Sequence, residues 1–69
     1  MERVPVQSTD IISIGYENGV LEVEFWSSGI YQYFGVPENL HIELMRASSK
    51  GSYLSQNVKK AGYGFRKIT

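Results

Sequence analysis

At 69 residues without a cysteine, the chain has room for one domain, residues 1–69, and neither disulfides nor a thiolate zinc cluster can brace it. Burial must therefore hold it together, and a 42% hydrophobic composition rich in tyrosine and phenylalanine supplies the means. The formal net charge of zero excludes a strongly basic or acidic protein but hides a segregation: residues 1–45 hold all seven acids and only Arg3, while the other six cations lie in residues 46–69.

Such segregation either presents a basic surface to an anionic partner or is neutralised when the halves fold together. No apolar run approaches the roughly 20 residues of a membrane span. The first residues, Met1-Glu2-Arg3-Val4-Pro5, lack a secretory apolar core. A cytoplasmic protein with no membrane partner is the expectation.

Residues 1–10 read as an arm or short edge segment. From Ile11 to Tyr16 the chain alternates, with Ile12, Ile14 and Tyr16 on one face of a strand. Asn18-Gly19 then signals a two-residue hairpin turn, because both central positions of that turn need positive φ. The implied register sets Tyr16 opposite Leu21, Ile14 opposite Val23 and Ile12 opposite Phe25. Glu22 and Glu24 point to the other face.

Ser27-Ser28-Gly29 is expected to close a second hairpin, with Gly29 left-handed, Phe25 opposite Tyr31 and Val23 opposite Tyr33. Both tyrosines then join the apolar face as core residues. Trp26, Ile30 and Phe34 share the opposite face with Glu22, Glu24 and Gln32. Gly35-Val36-Pro37 ends the strand, and Leu40, Leu44 and Ala47 recur at helical spacing over residues 37–47. Ser49 is placed to cap a second helix through Tyr53, Leu54 and Val58, stopped at Gly62. Tyr63 to Ile68 can add a last short strand. The fold expected is α+β: a small antiparallel β-meander of three or four strands with two short helices packed on one face.

Tyr31-Gln32-Tyr33 followed by Gly35-Val36-Pro37 is similar to the central motif of the KTSC domain family, named for the C-terminus of some lysyl-tRNA synthetases. Val6-Gln7-Ser8, Ile14-Gly15-Tyr16, Leu21 to Phe25 and the stretch Ala47-Ser48-Ser49-Lys50-Gly51-Ser52-Tyr53-Leu54 resemble further family motifs in the family's order. The likeness covers nearly the whole chain and departs from the family at Asn57 and across Gly62-Tyr63-Gly64-Phe65. It implies a domain without an established activity, for which RNA binding has been suggested from its attachment to a tRNA synthetase.

Residue chemistry argues against an enzyme. His41 is the only histidine and reads as a solvated or rim residue without a metal partner set. Ser27, Ser28, Ser48 and Ser49 fit turns and caps, and no phosphate loop or dinucleotide fingerprint occurs. No metal or cofactor is expected. The functional signal is the basic set Lys50, Lys59, Lys60, Arg66 and Lys67, suited to tRNA or another structured RNA through phosphate contacts. The alternative is a protein partner or a homodimer formed through Trp26, Ile30 and Phe34.

Overall fold

A computed structural model describes residues 1–69. Five strands, β1 (Arg3–Pro5), β2 (Ile11–Glu17), β3 (Val20–Phe25), β4 (Gly29–Tyr33) and β5 (Phe65–Lys67), form one antiparallel sheet in the order β1-β2-β3-β4-β5. Two short helices, α1 (Glu38–Arg46) and α2 (Lys50–Leu54), lie between β4 and β5 in the chain, and α2 runs into a π-helical turn, Ser55–Lys59. The class is the α+β arrangement expected, with five strands where three or four were anticipated. The additional strands are short edges at the chain's two ends.

The Asn18-Gly19 turn forms with both residues at positive φ (+50° and +80°), and Tyr16 faces Leu21 and Ile14 faces Val23 as its chemistry requires. Further along, a bulge between Ile11 and Ser13 breaks the simple alternation, and Ile11 faces Phe25 in place of Ile12. The carbonyl of Ile12 turns toward the N-terminal segment, accepting from the Val6 amide at 3.0 Å. Ile11 is consequently fully buried, and Ile12 sits at the boundary.

The second hairpin differs from the expectation by two residues. Val23 faces Tyr31 and Leu21 faces Tyr33, while Phe25 faces Gly29. The loop is Trp26–Ser28, closed by Gly29 at φ +93° opposite Phe25, and the Trp26 amide continues the bonding on the β2 side, donating to the Asp10 carbonyl at 2.9 Å. A shift of two preserves side-chain parity, so both tyrosines remain on the apolar face.

That face carries the core. Ile11, Ile14, Leu21, Val23, Phe25 and Tyr33 pack with Val36, Leu44 of α1, Leu54 of α2 and Val58 of the π turn. Helix α1 has Glu38 in its first turn and Arg46 in its last, each favourable to the helix dipole. Ser49 caps α2, accepting from the Ser52 amide at 3.4 Å. On the other face, Arg3 donates to Glu22 and to the Ser13 hydroxyl (3.0 Å), Gln32 donates to Glu22 (2.8 Å) and Ser13 donates to Glu24 (2.9 Å). This network ties edge strand β1 to β2, β3 and β4 and leaves Glu22 buried with every partner satisfied.

Candidate aromatic and basic cleft

Strand β5 pairs with β4 so that Tyr31 faces Lys67 and Tyr33 faces Phe65. Paired residues in an antiparallel ladder project to the same side. Three aromatic rings and a lysine thus gather at the edge of the core face. Phe25 meets Tyr31 edge-on, with centroids 5.7 Å apart and planes at 80°. Phe65 leans on Tyr31 and Tyr33 at 6.2 and 5.9 Å. The Lys59 ammonium, brought in by the π turn, sits 4.8 Å from the centre of the Phe25 ring, within cation–π range.

Between these groups lies a cleft of about 320 Å³, completed by Ser28 and Tyr63. Tyr33 is buried and Tyr31 half-buried, whereas Phe65 is 65% exposed. Neither the Tyr31 nor the Tyr33 hydroxyl bonds to the protein, and no buried side-chain polar atom lacks a partner. Both hydroxyl oxygens therefore retain some access to solvent. Burial, with the neighbouring Tyr31, pushes the Tyr33 hydroxyl above its ordinary pKa, so it is a neutral donor at physiological pH.

The five basic candidates do not occupy one surface. Lys59 lines the aromatic cleft, Lys60 follows it, exposed at the end of the π turn, and Lys67 of β5 is paired with Tyr31, outside the lining. Arg66 faces Gln32 and so lies on the opposite side of the sheet. Lys50 sits at the start of α2, its ammonium donating to the Ala47 carbonyl at 2.9 Å. The ion pairs of the fold are all made by Arg3 or the N-terminus with Glu17, Glu22 and Glu24. The six cations from Arg46 onward stay unpaired, and folding does not neutralise them by direct contact.

Trp26 stands in the β3–β4 turn, 65% exposed; Ile30 is within β4 and partly covered; Phe34 lies just past β4, 40% exposed. His41 stacks on Tyr16 at 4.9 Å and 9°, half-buried at the rim, the second of the two positions expected for it. A second cleft, of about 250 Å³, joins Gln7–Asp10 to Ser48–Gly51 with no apolar lining. Its polar groups largely serve the turns around it, with Ser8 accepting from the Asp10 and Ile11 amides.

The alternation in β3 marks Phe25 only as a core residue, and no spacing in the sequence ties Tyr63 and Phe65 to β4. The available signal is Tyr63-Gly64-Phe65, two aromatics at the same spacing as Tyr31 and Tyr33. Only the pairing of β4 with β5 brings the two sets together.

The fold defines a small α+β domain, a five-stranded antiparallel sheet with two short helices, that carries an open aromatic cleft. The family model described as KTSC domain matches residues 7–63, and the chain belongs to that family. It is similar to a KTSC domain protein from Yersinia pestis known from a crystal structure, at 46% identity and a TM-score of 0.90, over 99% of this chain and 97% of that one. It is also 39% identical to an uncharacterised protein of Stutzerimonas stutzeri (strain A1501), over 99% of each chain. No helix is long and apolar enough to cross a membrane.

Proposed function

We propose that the domain is a non-catalytic module that binds single-stranded segments of RNA, taking a nucleobase into the aromatic cleft and phosphates onto Lys59, Lys60 and Lys67. A cytoplasmic location belongs to this reading. The observation that carries it is the coincidence of five aromatic side chains with a cation at the ring face and no acid in the lining. Such a lining favours a ligand both planar and anionic. Stacking of a base on an aromatic side chain is worth about 1–3 kcal/mol, and lysines add a salt-dependent phosphate term without reading sequence.

The test is a titration with a labelled single-stranded RNA and with tRNA at two salt concentrations. Affinity should fall as salt rises, and Lys59→Ala with Lys60→Ala should flatten the salt slope by about one unit per lost phosphate contact. Phe65→Ala should weaken binding at little cost to the fold, since the ring is 65% exposed. Absence of binding at low salt, or binding indifferent to Phe65 and the lysines, would sink the reading. A second reading, self-association or a protein partner at Trp26, Ile30 and Phe34, draws on the exposure of Trp26 and Phe34. It predicts a concentration-dependent dimer in sedimentation that Trp26→Ala abolishes.

A further inference from the structure

We propose that the free edge of β5 accepts an acidic peptide as an added strand, bound through the outward backbone groups of Phe65 and Lys67. The bonds on either side of β5 decide which groups are free. The Phe34 amide donates to the Gly64 carbonyl and the Ile68 amide to the Ile30 carbonyl, both at 2.8 Å. Bonded and non-bonded positions alternate along an antiparallel pair. Arg66, level with Gln32, therefore turns its amide and carbonyl inward to β4, while Phe65 and Lys67 turn theirs away from the sheet. β5 is the last strand in the order and all its residues are exposed. Gly64 next to it has nothing within 4 Å of a Cβ position, so the row of free groups is open to an approaching chain.

The opposite edge is closed to the same use. On β1 the Val6 amide donates to the Ile12 carbonyl at 3.0 Å. The same alternation turns Val4 inward and leaves Arg3 and Pro5 facing out. Proline has no N–H, so that row is broken. An added strand finds its full set of partners only at β5.

The charges of β5 select the kind of strand. Lys67 and Arg66 lie on opposite sides of the sheet, and neither is in an ion pair. A second copy of β5 laid alongside would bring the same cations, and like charges across a ladder are unfavourable. An acidic strand meets opposite charge on both sides. Antiparallel pairing is the more stable per residue, and it sets one acid level with Lys67 and the next with Arg66. The residue after them lies level with Phe65, whose ring is 65% exposed, and is apolar. RNA carries no alternating amides and carbonyls at strand spacing, so this edge is independent of the nucleobase reading of the cleft.

The test titrates the full chain with acetyl-Ser-Thr-Glu-Glu-Val-Thr-Ser-amide and follows amide exchange residue by residue by NMR. The peptide should slow exchange at Phe65 and Lys67 and leave Arg66, already bonded, unchanged. N-methylation of the valine, whose amide the register aims at Phe65, should weaken the peptide by about 2- to 10-fold, the range for one backbone hydrogen bond. N-methylation of the second glutamate, whose amide points away, should cost little. Lys67→Pro removes an outward amide and no bond inside the sheet, so it should weaken the peptide while Ile68 stays protected. Arg66→Glu with Lys67→Glu should reverse the preference, in favour of the same peptide with two lysines in place of the glutamates.

Acidic-peptide binding that protects no amide of β5, or that ignores the position of the methyl group, would be adsorption of acids on cations and would overturn the proposal. Protection of Phe65 and Lys67 that grows with protein concentration in the absence of peptide would overturn it in favour of pairing between copies. The same protection produced by octauridylate and not by the peptide would assign the edge to nucleic acid. Absence of acidic-peptide binding would end the proposal and leave the cleft reading untouched.

Discussion

Tyr31 and Tyr33 stand two residues apart on β4, yet their surroundings divide their roles. Tyr33 is only 4% exposed, and truncation to Ala should cost about 3–5 kcal/mol, as for other large core aromatics. Tyr31 is half-buried between Phe25 and Phe65, so Tyr31→Ala should cost less and leave a folded protein with a widened cleft. Neither hydroxyl has a partner in the protein. Tyr31→Phe and Tyr33→Phe should therefore change stability by no more than about 0.5 kcal/mol in denaturant unfolding. RNA affinity lost in either variant would then report a contact made by the hydroxyl to the ligand. A hydroxyl deletion that cost several times that amount would show that it serves the fold.

Strand β5 is the element on which the cleft depends, and it is the one with the least holding it. All three of its residues are exposed, and outside the ladder it is tied to β4 by bonds from Ile68 to the Ile30 carbonyl (2.8 Å) and from Ile30 to the Thr69 carbonyl (2.9 Å). Gly29→Ala strikes this tie twice, through its positive φ, worth about 1–2 kcal/mol for a residue with a Cβ, and through collision with the Thr69 carbonyl. The expected result is a sheet that keeps β1 to β4 but releases β5. Amide exchange should accelerate at Ile68 and Phe34 while Val23 and Leu54 stay protected, and RNA binding should fall. Uniform loss of protection would mean that β5 is integral to the whole sheet. The same element shows where the sequence was readable. The Asn18-Gly19 turn and the alternation around it specify one register, since both turn residues and the apolar pattern agree. The bulge at Ile11/Ser13 goes with a bond from the distant Val6 amide to the Ile12 carbonyl, which no local pattern displays. The second loop is displaced by two residues, a change that keeps parity and so is invisible to the apolar pattern. Tyr31 and Tyr33 were legible as core-face residues, and Lys59 as a cation. Their meeting with Phe65 was not, because it arises from β5 closing on β4 across the intervening helices.

At the scale of the whole molecule, pH should bound stability from both sides. His41, stacked on Tyr16, is held below its ordinary pKa of 6.5 by burial, against the opposing pull of Glu38. Glu22 is held below 4.5 by the Gln32 hydrogen bond, with burial acting against it and Arg3 assisting. A group whose pKa is lower folded than unfolded contributes stability above its unfolded value and loses it as pH falls through the folded one. Acid should thus act in two stages, the first setting in below about pH 6.5 and the second below about pH 4.5. On the alkaline side, burial raises the hydroxyls of Tyr33 and Tyr53, the latter also through its bond to Glu43. Their contribution is complete below pH 10 and is lost as pH rises through the folded values. Melting temperature should therefore be level from about pH 7 to about pH 10 and fall on either side. His41→Phe keeps a ring on Tyr16 and removes a titrating group, so the fall between pH 7 and pH 5 should disappear in that variant. Glu22→Gln should lie below wild type at pH 7, having lost its ion pair with Arg3, and converge on it as the pH drops to 3. Thermal unfolding of the three proteins from pH 3 to pH 11 makes the comparison. A wild type as stable at pH 5 as at pH 7, or a His41→Phe curve parallel to it, would show that the Tyr16–His41 stack does not set the acid limit.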